Sequence, residues 1–289
     1  MPAFDRVTII GVGLIGGSLG MAVRARALAR EVVGVTRVDK TIAAARARGA
    51  IDRGTVDPVT GVAGADLVVL ATPPDVVVPM ARGVLPYLRP GAVLTDVASV
   101  KAEIVRSVEA LLQSHSRVMF VGGHPMAGNE GRGVAAASAT LFEGTAYLLT
   151  PTPRTDPGAT ERLTGFARSL GAVPVALDPD EHDRNVALIS HLPYLAAVAL
   201  MGITQTAVRA AGPAFLGVTR VARSPVELWA QICRLNREPV LAALRAFREE
   251  LSRLEAALVD GDRFTAMLES ARRARLLLTE PPPGPREST

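Results

Sequence analysis

A glycine-rich turn near the amino terminus most strongly constrains what this chain can fold into. Gly11-Val12-Gly13-Leu14-Ile15-Gly16 directly follows the β-branched run Val7–Ile10 and opens a helical stretch. A second β-branched run, Val32–Val35, comes after that stretch. A strand, a glycine turn, a helix and a second strand in this order indicate a dinucleotide-binding unit, whereas the glycine pattern alone would also suit a purely structural turn.

Each glycine of this turn has a distinct expected role. Gly11 permits the tight turn, Gly13 lets the backbone approach a pyrophosphate, and Gly16 lets the helix pack closely on the strand. The helix N-terminus then faces the phosphates. The residues predicted to contact the cofactor here are Gly11, Gly13, Leu14, Ile15 and Gly16.

Short apolar runs alternate with amphipathic segments through the first half of the chain. This pattern is typical of strands buried on both faces of a parallel, doubly wound sheet. The predicted strands are Val7–Ile10, Val32–Val35, Leu67–Ala71, Ala92–Thr95, Val118–Val121, Tyr147–Leu149 and Val173–Leu177. A helix from Pro157 to Leu170, capped by Asp156, is predicted between the last two.

The sequence pattern changes at Asp178-Pro179, where Asp178 is expected to cap a new helix. No strand is predicted from there to about Leu278. We therefore expect a Rossmann-type α/β domain over residues 1–178 and an all-α domain over residues 179–280. A disordered, proline-rich tail is expected over residues 281–289.

The predicted helix Pro239–Val259 carries an apolar stripe at alternating spacings of four and three residues. Spacing alone does not distinguish a stripe that faces the core from one that forms a subunit interface.

Composition excludes several other classes of protein. Of the 289 residues, 48% are hydrophobic and 21% charged, which indicates a folded globule, and a net charge of +4 does not suggest binding to nucleic acid. The single cysteine, Cys233, supplies no zinc cluster, so no metal is predicted, and it fits a reducing, cytoplasmic compartment. Val186–Ile203 is apolar but contains Ser190, His191 and Pro193, which favours a buried helix over a membrane span.

The end of the second strand bears on the choice of dinucleotide. An Asp or Glu there would hold the ribose hydroxyls of NAD, but this chain has Thr36-Arg37. Thr36 leaves room for a 2′-phosphate and Arg37 can pair with it, so NADP is favoured. NAD stays open because Asp39 could reach the ribose if the strand ended later.

Three polar motifs are predicted to follow strands, where doubly wound sheets bind their ligands. They are Ala71-Thr72-Pro73-Pro74, Asp96-Val97-Ala98-Ser99-Val100-Lys101 and Gly122-Gly123-His124-Pro125-Met126-Ala127-Gly128. Thr72 and Pro73 are expected to line the cofactor.

Together with two downstream segments, these motifs resemble the prephenate/arogenate dehydrogenase family of tyrosine biosynthesis. The segments are Ile189-Ser190-His191-Leu192-Pro193 and Thr219-Arg220…Trp229…Asn236-Arg237, and the resemblance runs from about Val7 to Leu258. It implies a dinucleotide domain, a helical domain that builds a homodimer, and an active site in the cleft between them. It also implies oxidative decarboxylation of arogenate or prephenate, with hydride transfer to NAD(P), to give tyrosine or 4-hydroxyphenylpyruvate.

The resemblance implies a role for four residues. His124 would take the proton of the substrate's ring hydroxyl, a role that suits a neutral imidazole. Ser99 would hydrogen-bond the substrate and the imidazole, although it could also cap the following helix. Arg220 would bind a substrate carboxylate, and His191 would take part in catalysis and substrate binding from the helical domain. The roles of Lys101 and His182 stay open.

Two departures from the family pattern bear on the substrate. Tyr194 stands where prephenate-preferring relatives commonly have a second histidine, and Leu216 stands where relatives often have an arginine. With Thr36-Arg37, these changes favour an arogenate-using, NADP-preferring enzyme.

Two other functions are compatible with a dinucleotide-binding domain followed by a helical one. A β-hydroxy acid dehydrogenase would share the two-domain plan but would use a lysine in the helical domain, and no lysine follows Lys101. A non-catalytic dinucleotide-sensing dimer would not need polar motifs at the strand ends.

Overall fold

A computed structural model describes residues 3–115, 117–129, 131–204 and 208–278, with the backbone alone at residue 208. The predicted tail 281–289 lies outside these residues. The chain divides into two compact units, residues 1–240 and residues 241–289. The first contains the sheet and every site discussed below, and the described part of the second is helical. The domain boundary placed at residue 178 stays a prediction.

One eight-stranded sheet organises the larger unit, in the order β3-β2-β1-β4-β5-β6-β7-β8. Its strands are β1 (Phe4–Ile10), β2 (Ala29–Val35), β3 (Arg53–Thr55), β4 (Leu67–Leu70), β5 (Val93–Asp96), β6 (Met119–Pro125), β7 (Ala146–Thr150) and β8 (Val173–Ala176). All neighbours are parallel except β6 and β7. The predicted doubly wound, mostly parallel sheet is therefore confirmed.

Two strands differ from the prediction. The edge strand β3 was missed because three half-buried residues carry almost no periodic signal. The expectation that His124 follows a strand was wrong, because β6 continues through Pro125. An antiparallel ladder with β7, which pairs His124 with Leu148, extends the strand beyond its apolar run. His124 is consequently held by sheet hydrogen bonding rather than by a loop.

Twelve α-helices connect and follow these strands in the described chain. They are α1 (Leu14–Ala25), α2 (Asp39–Ala47), α3 (Pro58–Val62), α4 (Pro74–Val84), α5 (Ala102–Leu112), α6 (Pro157–Ser169), α7 (Pro179–Val186), α8 (Leu192–Ile203), α9 (Pro213–Thr219), α10 (Val226–Leu235), α11 (Arg237–Ala257) and α12 (Gly261–Leu277). The predicted caps are confirmed: Asp156 accepts a hydrogen bond from Ala159 N, and Asp178 accepts bonds from the first turn of α7.

Two apolar clusters cover the two faces of the sheet. One brings Leu19 of α1 and Phe166 of α6 onto the sheet. The other brings Val77 of α4 and Ile104 of α5 onto the opposite face. A parallel sheet needs both faces covered, and these helices cover them while leaving the carboxyl ends of the strands open to ligands.

A turn of π-helix, Ala187–His191, joins α7 to α8. The segment Pro179–Ile203 is long and apolar enough to cross a membrane by length and composition alone. The expected buried helix is only partly right: His191 is buried, but Leu188, Ile189 and Ile203 are exposed. A helix that is apolar on every face resembles a buried one in sequence, even when one face is left open.

The apolar stripe predicted over Pro239–Val259 lies on α11, whose bounds are Arg237–Ala257. Its first member, Val240, is buried, whereas Leu244, Phe247 and Leu251 are each more than a third exposed.

Candidate active site

The three turn glycines have the geometry that their predicted roles require. Gly11 has a φ of 98°, and a Cβ there would lie 2.3 Å from the carbonyl oxygen of Ala71. A Cβ on Gly16 would lie 2.0 Å from the carbonyl oxygen of Gly11, so only glycine allows this packing. A Cβ on Gly13 would meet nothing within 4 Å. Gly13 thus presents its backbone to open space, as a dinucleotide cradle requires.

We call the space beside this turn the cofactor cavity. It has a volume of about 380 Å³, and its walls include Gly11, Gly13, Thr36, Arg37, Thr72 and Pro73. Strand β2 ends at Val35, where the sequence predicted it to end. Thr36 donates its hydroxyl to Val38 O, whereas Asp39 begins α2 and is not part of the wall.

A second space, the histidine cavity, has a volume of about 380 Å³. Its sheet side includes Leu14, Ile15, Ser99 and His124, and its helical side includes His191, Arg220 and Trp229. All the predicted catalytic and substrate-binding residues therefore line one space.

A third space, the junction cavity, connects the other two through shared residues. It has a volume of about 500 Å³ and shares Leu14, Ile15 and Ser99 with the histidine cavity, and Gly13, Thr72 and Pro73 with the cofactor cavity. Thr72 Oγ1 and Gln231 Oε1, both from residues in its walls, are buried without a hydrogen-bond partner in the described chain. Unpaired buried polar atoms are costly unless a ligand or water meets them. The cavities therefore fit an extended polar cofactor that reaches Ser99.

His124 stands at one end of a buried line of polar side chains. Its Nδ1 lies 2.9 Å from His182 Nε2, and His182 Nδ1 lies 2.8 Å from Asp183 Oδ1. Burial lowers the pKa of His124 well below 6.5, and the neighbouring His182, Lys101 and His191 lower it further. His124 is therefore neutral at physiological pH, as a proton acceptor must be.

Lys101 lies outside the cavities and is completely buried. Its Nζ pairs with the Asp96 carboxylate and donates to Gly123 O at 2.9 Å. Burial lowers the pKa of Lys101, while Asp96 opposes that shift. Because Gly123 precedes His124, Lys101 ties strand β6 to the end of β5.

The alternative role that the sequence allowed for Ser99, as cap of the following helix, is wrong. That helix, α5, begins at Ala102, and a carboxylate distant in sequence caps it. Asp183 accepts hydrogen bonds from Lys101 N at 2.7 Å and Ala102 N at 2.9 Å. Ser99 instead lines the histidine and junction cavities.

His191 is fully buried and forms part of the helical side of the histidine cavity. Asn236 Nδ2 donates to Asp183 O at 2.8 Å and to His191 Nδ1 at 3.2 Å, so His191 Nδ1 is an acceptor. The proton of the neutral ring is then on Nε2, and this nitrogen has no hydrogen-bond partner in the described chain. Burial lowers the pKa of His191 to about 4. His191 thus offers a neutral N–H donor.

The residues that depart from the family pattern lie off the cavity walls. Tyr194 stacks on Trp229, with ring centroids 3.8 Å apart and planes 2° from parallel, and Trp229 is the ring that lines the cavity. Leu216 is exposed. Arg220, in the 3₁₀ turn Arg220–Arg223, does line the cavity.

Sequence reasoning missed the network behind these residues. His182-Asp183 and Asn236 stand in family-like segments, but their contacts with His124 and His191 join residues 58 and 45 positions apart. Nothing in the motif that begins at Asp96 reveals its ion pair with Lys101.

A Rossmann-type sheet, a glycine cradle and a cofactor cavity that connects to a neutral histidine define a nicotinamide-dependent oxidoreductase. Two family models match the chain: "Prephenate dehydrogenase, nucleotide-binding domain" over residues 19–176, and "Prephenate dehydrogenase, dimerization domain" over residues 178–270. The chain belongs to the prephenate dehydrogenase family, not to the β-hydroxy acid dehydrogenases.

Individual relatives agree with this family. Prephenate dehydrogenase of Bacillus subtilis is 32% identical over 89% of this chain and 71% of its own length. The crystal structure of prephenate dehydrogenase from Aquifex aeolicus, in complex with hydroxyphenyl propionate and NAD+, has a TM-score of 0.84 at 29% identity, covering 95% of this chain and 98% of that one. Synechocystis arogenate dehydrogenase has a TM-score of 0.81 at 30% identity, covering 95% and 100%.

Proposed function

We propose that the protein catalyses oxidative decarboxylation of arogenate or prephenate, giving tyrosine or 4-hydroxyphenylpyruvate in tyrosine biosynthesis. In this reaction the ring carbon that bears the hydroxyl loses a hydride, the hydroxyl loses a proton, and the ring carboxylate leaves as carbon dioxide. One observation carries the proposal. Ser99 lines both the junction cavity, on the cofactor side, and the histidine cavity, where the neutral His124 lies.

The sheet side of the histidine cavity handles the proton. His124 is neutral, so it can accept the proton of the ring hydroxyl as the carbonyl develops. Ser99 lies in the same wall, where it would hydrogen-bond the same hydroxyl. A nicotinamide bound in the junction cavity would supply the hydride acceptor. Aromatisation drives the reaction, so the protein has only to orient the substrate and remove this proton.

The helical side binds the charged ends of the substrate. Arg220 offers a guanidinium that matches a carboxylate with two parallel hydrogen bonds. His191 adds an N–H donor that carries no charge. Trp229 supplies an apolar face for the ring and is itself held by stacking on Tyr194.

We propose NADP as the preferred cofactor, with NAD as the alternative. Thr36 and the exposed Arg37 line the cofactor cavity directly after β2. Neither carries a carboxylate that would repel a 2′-phosphate, and Arg37 can pair with it. Gly11, Gly13, Leu14, Ile15 and Gly16 would hold the remainder of the dinucleotide with Thr72 and Pro73.

We propose arogenate as the preferred substrate. The motif that favours prephenate in relatives is changed at Tyr194 and Leu216, and both side chains lie off the cavity walls. Their effect would pass through Trp229 and through the exposed turn of α9.

A homodimer in the cytoplasm is proposed as the working form. The family model that matches residues 178–270 is that of a dimerization domain. Exposed apolar side chains occur in the same range on α8 and α11, including Val198, Met201, Phe247 and Leu251. Such side chains are typical of subunit interfaces.

The experiment that tests the function measures reduction of NADP and NAD at the nicotinamide absorbance, with arogenate or prephenate in all four combinations. Turnover with arogenate and NADP is the expected result. Faster turnover with prephenate would overturn the substrate preference, and faster turnover with NAD would overturn the cofactor preference. No turnover in any of the four combinations, by a protein that still binds the cofactor, would favour a dinucleotide sensor.

A further inference from the structure

A line of three side chains runs from the histidine cavity to the start of α5. It begins at His124, passes through His182 and ends at the carboxylate of Asp183. We propose that His182 and Asp183 are positioning residues that hold His124 in the tautomer whose Nε2 can accept the substrate's hydroxyl proton. The proposal rests on the proposed function for the identity of that proton.

The hydrogen-bond partners of Asp183 define the state of its carboxylate. Its Oδ1 accepts from Lys101 N, and its Oδ2 accepts from Ala102 N. Two backbone donors on two different oxygens suit an ionised carboxylate, which only accepts hydrogen bonds. Since α5 begins at Ala102, the positive end of that helix also favours the negative charge. Asp183 therefore requires a donor from His182.

His182 is fully buried between Asp183 and His124. Its Nδ1 faces the carboxylate at 2.8 Å and must carry a proton to make that bond. Burial lowers the pKa of His182, so the ring is neutral and has only one proton to place. His182 Nε2 is left with a lone pair and can only accept.

His124 faces that lone pair through Nδ1, at 2.9 Å. Two lone pairs cannot share this distance, so His124 Nδ1 carries the proton and donates it. The other nitrogen, Nε2, then has the lone pair of the neutral ring. His124 lines the histidine cavity, so this basic nitrogen is available to the substrate.

The same line stabilises the product of proton transfer. When the substrate's O–H bond breaks, a new N–H bond forms at His124 Nε2 and the ring becomes positive. Its Nδ1–H already donates towards His182, whose Nδ1–H donates to the negative Asp183. A negative charge connected through aligned hydrogen bonds lowers the cost of a positive ring in a buried site.

The two candidate histidines therefore differ in their protonated atom. Asn236 donates to His191 Nδ1, which places the proton of His191 on Nε2. His124 has the opposite arrangement. His124 accepts at its Nε2, whereas His191 donates from its Nε2. Side chains outside the cavity walls impose each of these states.

Ring ¹⁵N NMR of the holoprotein tests the assignment without any substrate. The chain has four histidines, so substitution of each in turn assigns every ring signal. We expect His124 to be protonated at Nδ1 alone and His191 at Nε2 alone. A proton on Nε2 of His124 at neutral pH would overturn the proposal, whether or not the protein turns over arogenate or prephenate. Conversely, the expected tautomers in an inactive protein would count against the function alone.

Two variants at one position supply the kinetic test. His182→Gln keeps an acceptor oxygen for His124 Nδ1, whereas His182→Leu removes it. We expect kcat to fall by about 100-fold in the leucine variant and by less than about 10-fold in the glutamine variant, with KM nearly unchanged in both. Equal loss in both would mean that His182 acts by packing only. His115→Gln, outside the cavities, is the matched control, and the NMR result decides if the leucine variant fails to fold.

Discussion

The sheet side and the helical side of the histidine cavity are built in different ways. On the sheet side, His124 lies within strand β6 and is held from behind by His182 and by the Lys101–Asp96 pair. On the helical side, Arg220 and Trp229 come from short turns and helices whose outer apolar faces are exposed. The first is rigid through backbone pairing, and the second depends on packing between helices.

This difference separates two tasks. Proton transfer needs an atom fixed to within a fraction of an ångström, and strands with a buried ion pair provide that. Recognition of a carboxylate tolerates a side chain on a turn. Changes on the sheet side should therefore lower kcat, and changes on the helical side should raise KM.

His124→Asn is expected to have the largest effect. It removes the proton acceptor, so kcat should fall by about 10²- to 10⁴-fold while the affinity for NADPH, measured by fluorescence titration, stays within about twofold. The control is His115→Asn, which leaves the cavities unchanged. An unaltered kcat in His124→Asn would remove the sheet side from the chemistry.

Lys101→Met breaks the buried pair behind the sheet side. Asp96 would lose its ion-pair partner and keep only the backbone N–H groups of Ala98 and Gly123, so the free energy of unfolding should drop by about 3–5 kcal/mol in urea titrations. The only other lysine, Lys40, is exposed, and Lys40→Met is a matched control with a change of less than about 0.5 kcal/mol. Similar losses in both variants would contradict the role given to this pair.

Acid should destabilise the protein through His191. Above pH 6.5 this ring is neutral in both the folded and the unfolded chain, so it contributes nothing. Below pH 6.5 His191 is protonated in the unfolded chain. In the folded chain it stays neutral until about pH 4, because burial lowers its pKa to that value. The free energy of unfolding should thus fall across this window by on the order of 3 kcal/mol.

Urea titrations at several pH values measure this effect. His191→Gln should flatten the decline between pH 6.5 and 4, and His115→Gln should not. A decline that is equally steep in all three proteins would show that His191 titrates normally.

Arg220→Gln tests the helical side. Loss of a charged contact to a carboxylate should raise KM by about 10- to 100-fold and change kcat much less. Arg223→Gln, in the same 3₁₀ turn but off the cavity wall, is the control. If kcat fell as much as kcat/KM, the separation of tasks between the two sides would be wrong.

The smallest effect is expected at the cofactor cavity. Thr36→Asp with Arg37→Asn adds a carboxylate and removes the phosphate partner, so the ratio of kcat/KM for NADP to that for NAD should fall by about 10-fold or more. Arg37→Lys, which keeps the charge, should retain most of the NADP preference. A ratio that did not move would mean that the 2′-phosphate lies elsewhere.

Local signals in the sequence predicted much of this molecule. The turn Gly11–Gly16, the end of β2 at Val35 and the caps Asp156 and Asp178 each depend on a few adjacent residues, and the structure agrees with them. Doubly wound topology follows from strands that are apolar on both faces.

Those local signals could not predict contacts between residues that are distant in sequence. Nothing near Ala102 reveals that Asp183, 81 positions away, caps its helix, and so Ser99 was the nearest reasonable cap. The open face of α8 was hidden for a related reason, because an apolar residue reads the same whether it meets its own core or another surface. The sequence also gives no sign of the π turn before His191, so it could not show that this side chain points inward.

That π turn has a consequence for how this segment can vary. A turn of π-helix holds one more residue than a turn of α-helix, and each residue rotates a helix by about 100°. Loss of one residue, such as the exposed Ile189, would turn it into an ordinary α-turn and leave the helix beyond it, with His191, in phase with Asn236 and Trp229. Gain of a further residue would instead rotate everything beyond the turn by about 100° and carry His191 away from both. The segment should therefore tolerate the loss of one residue but not the gain of one.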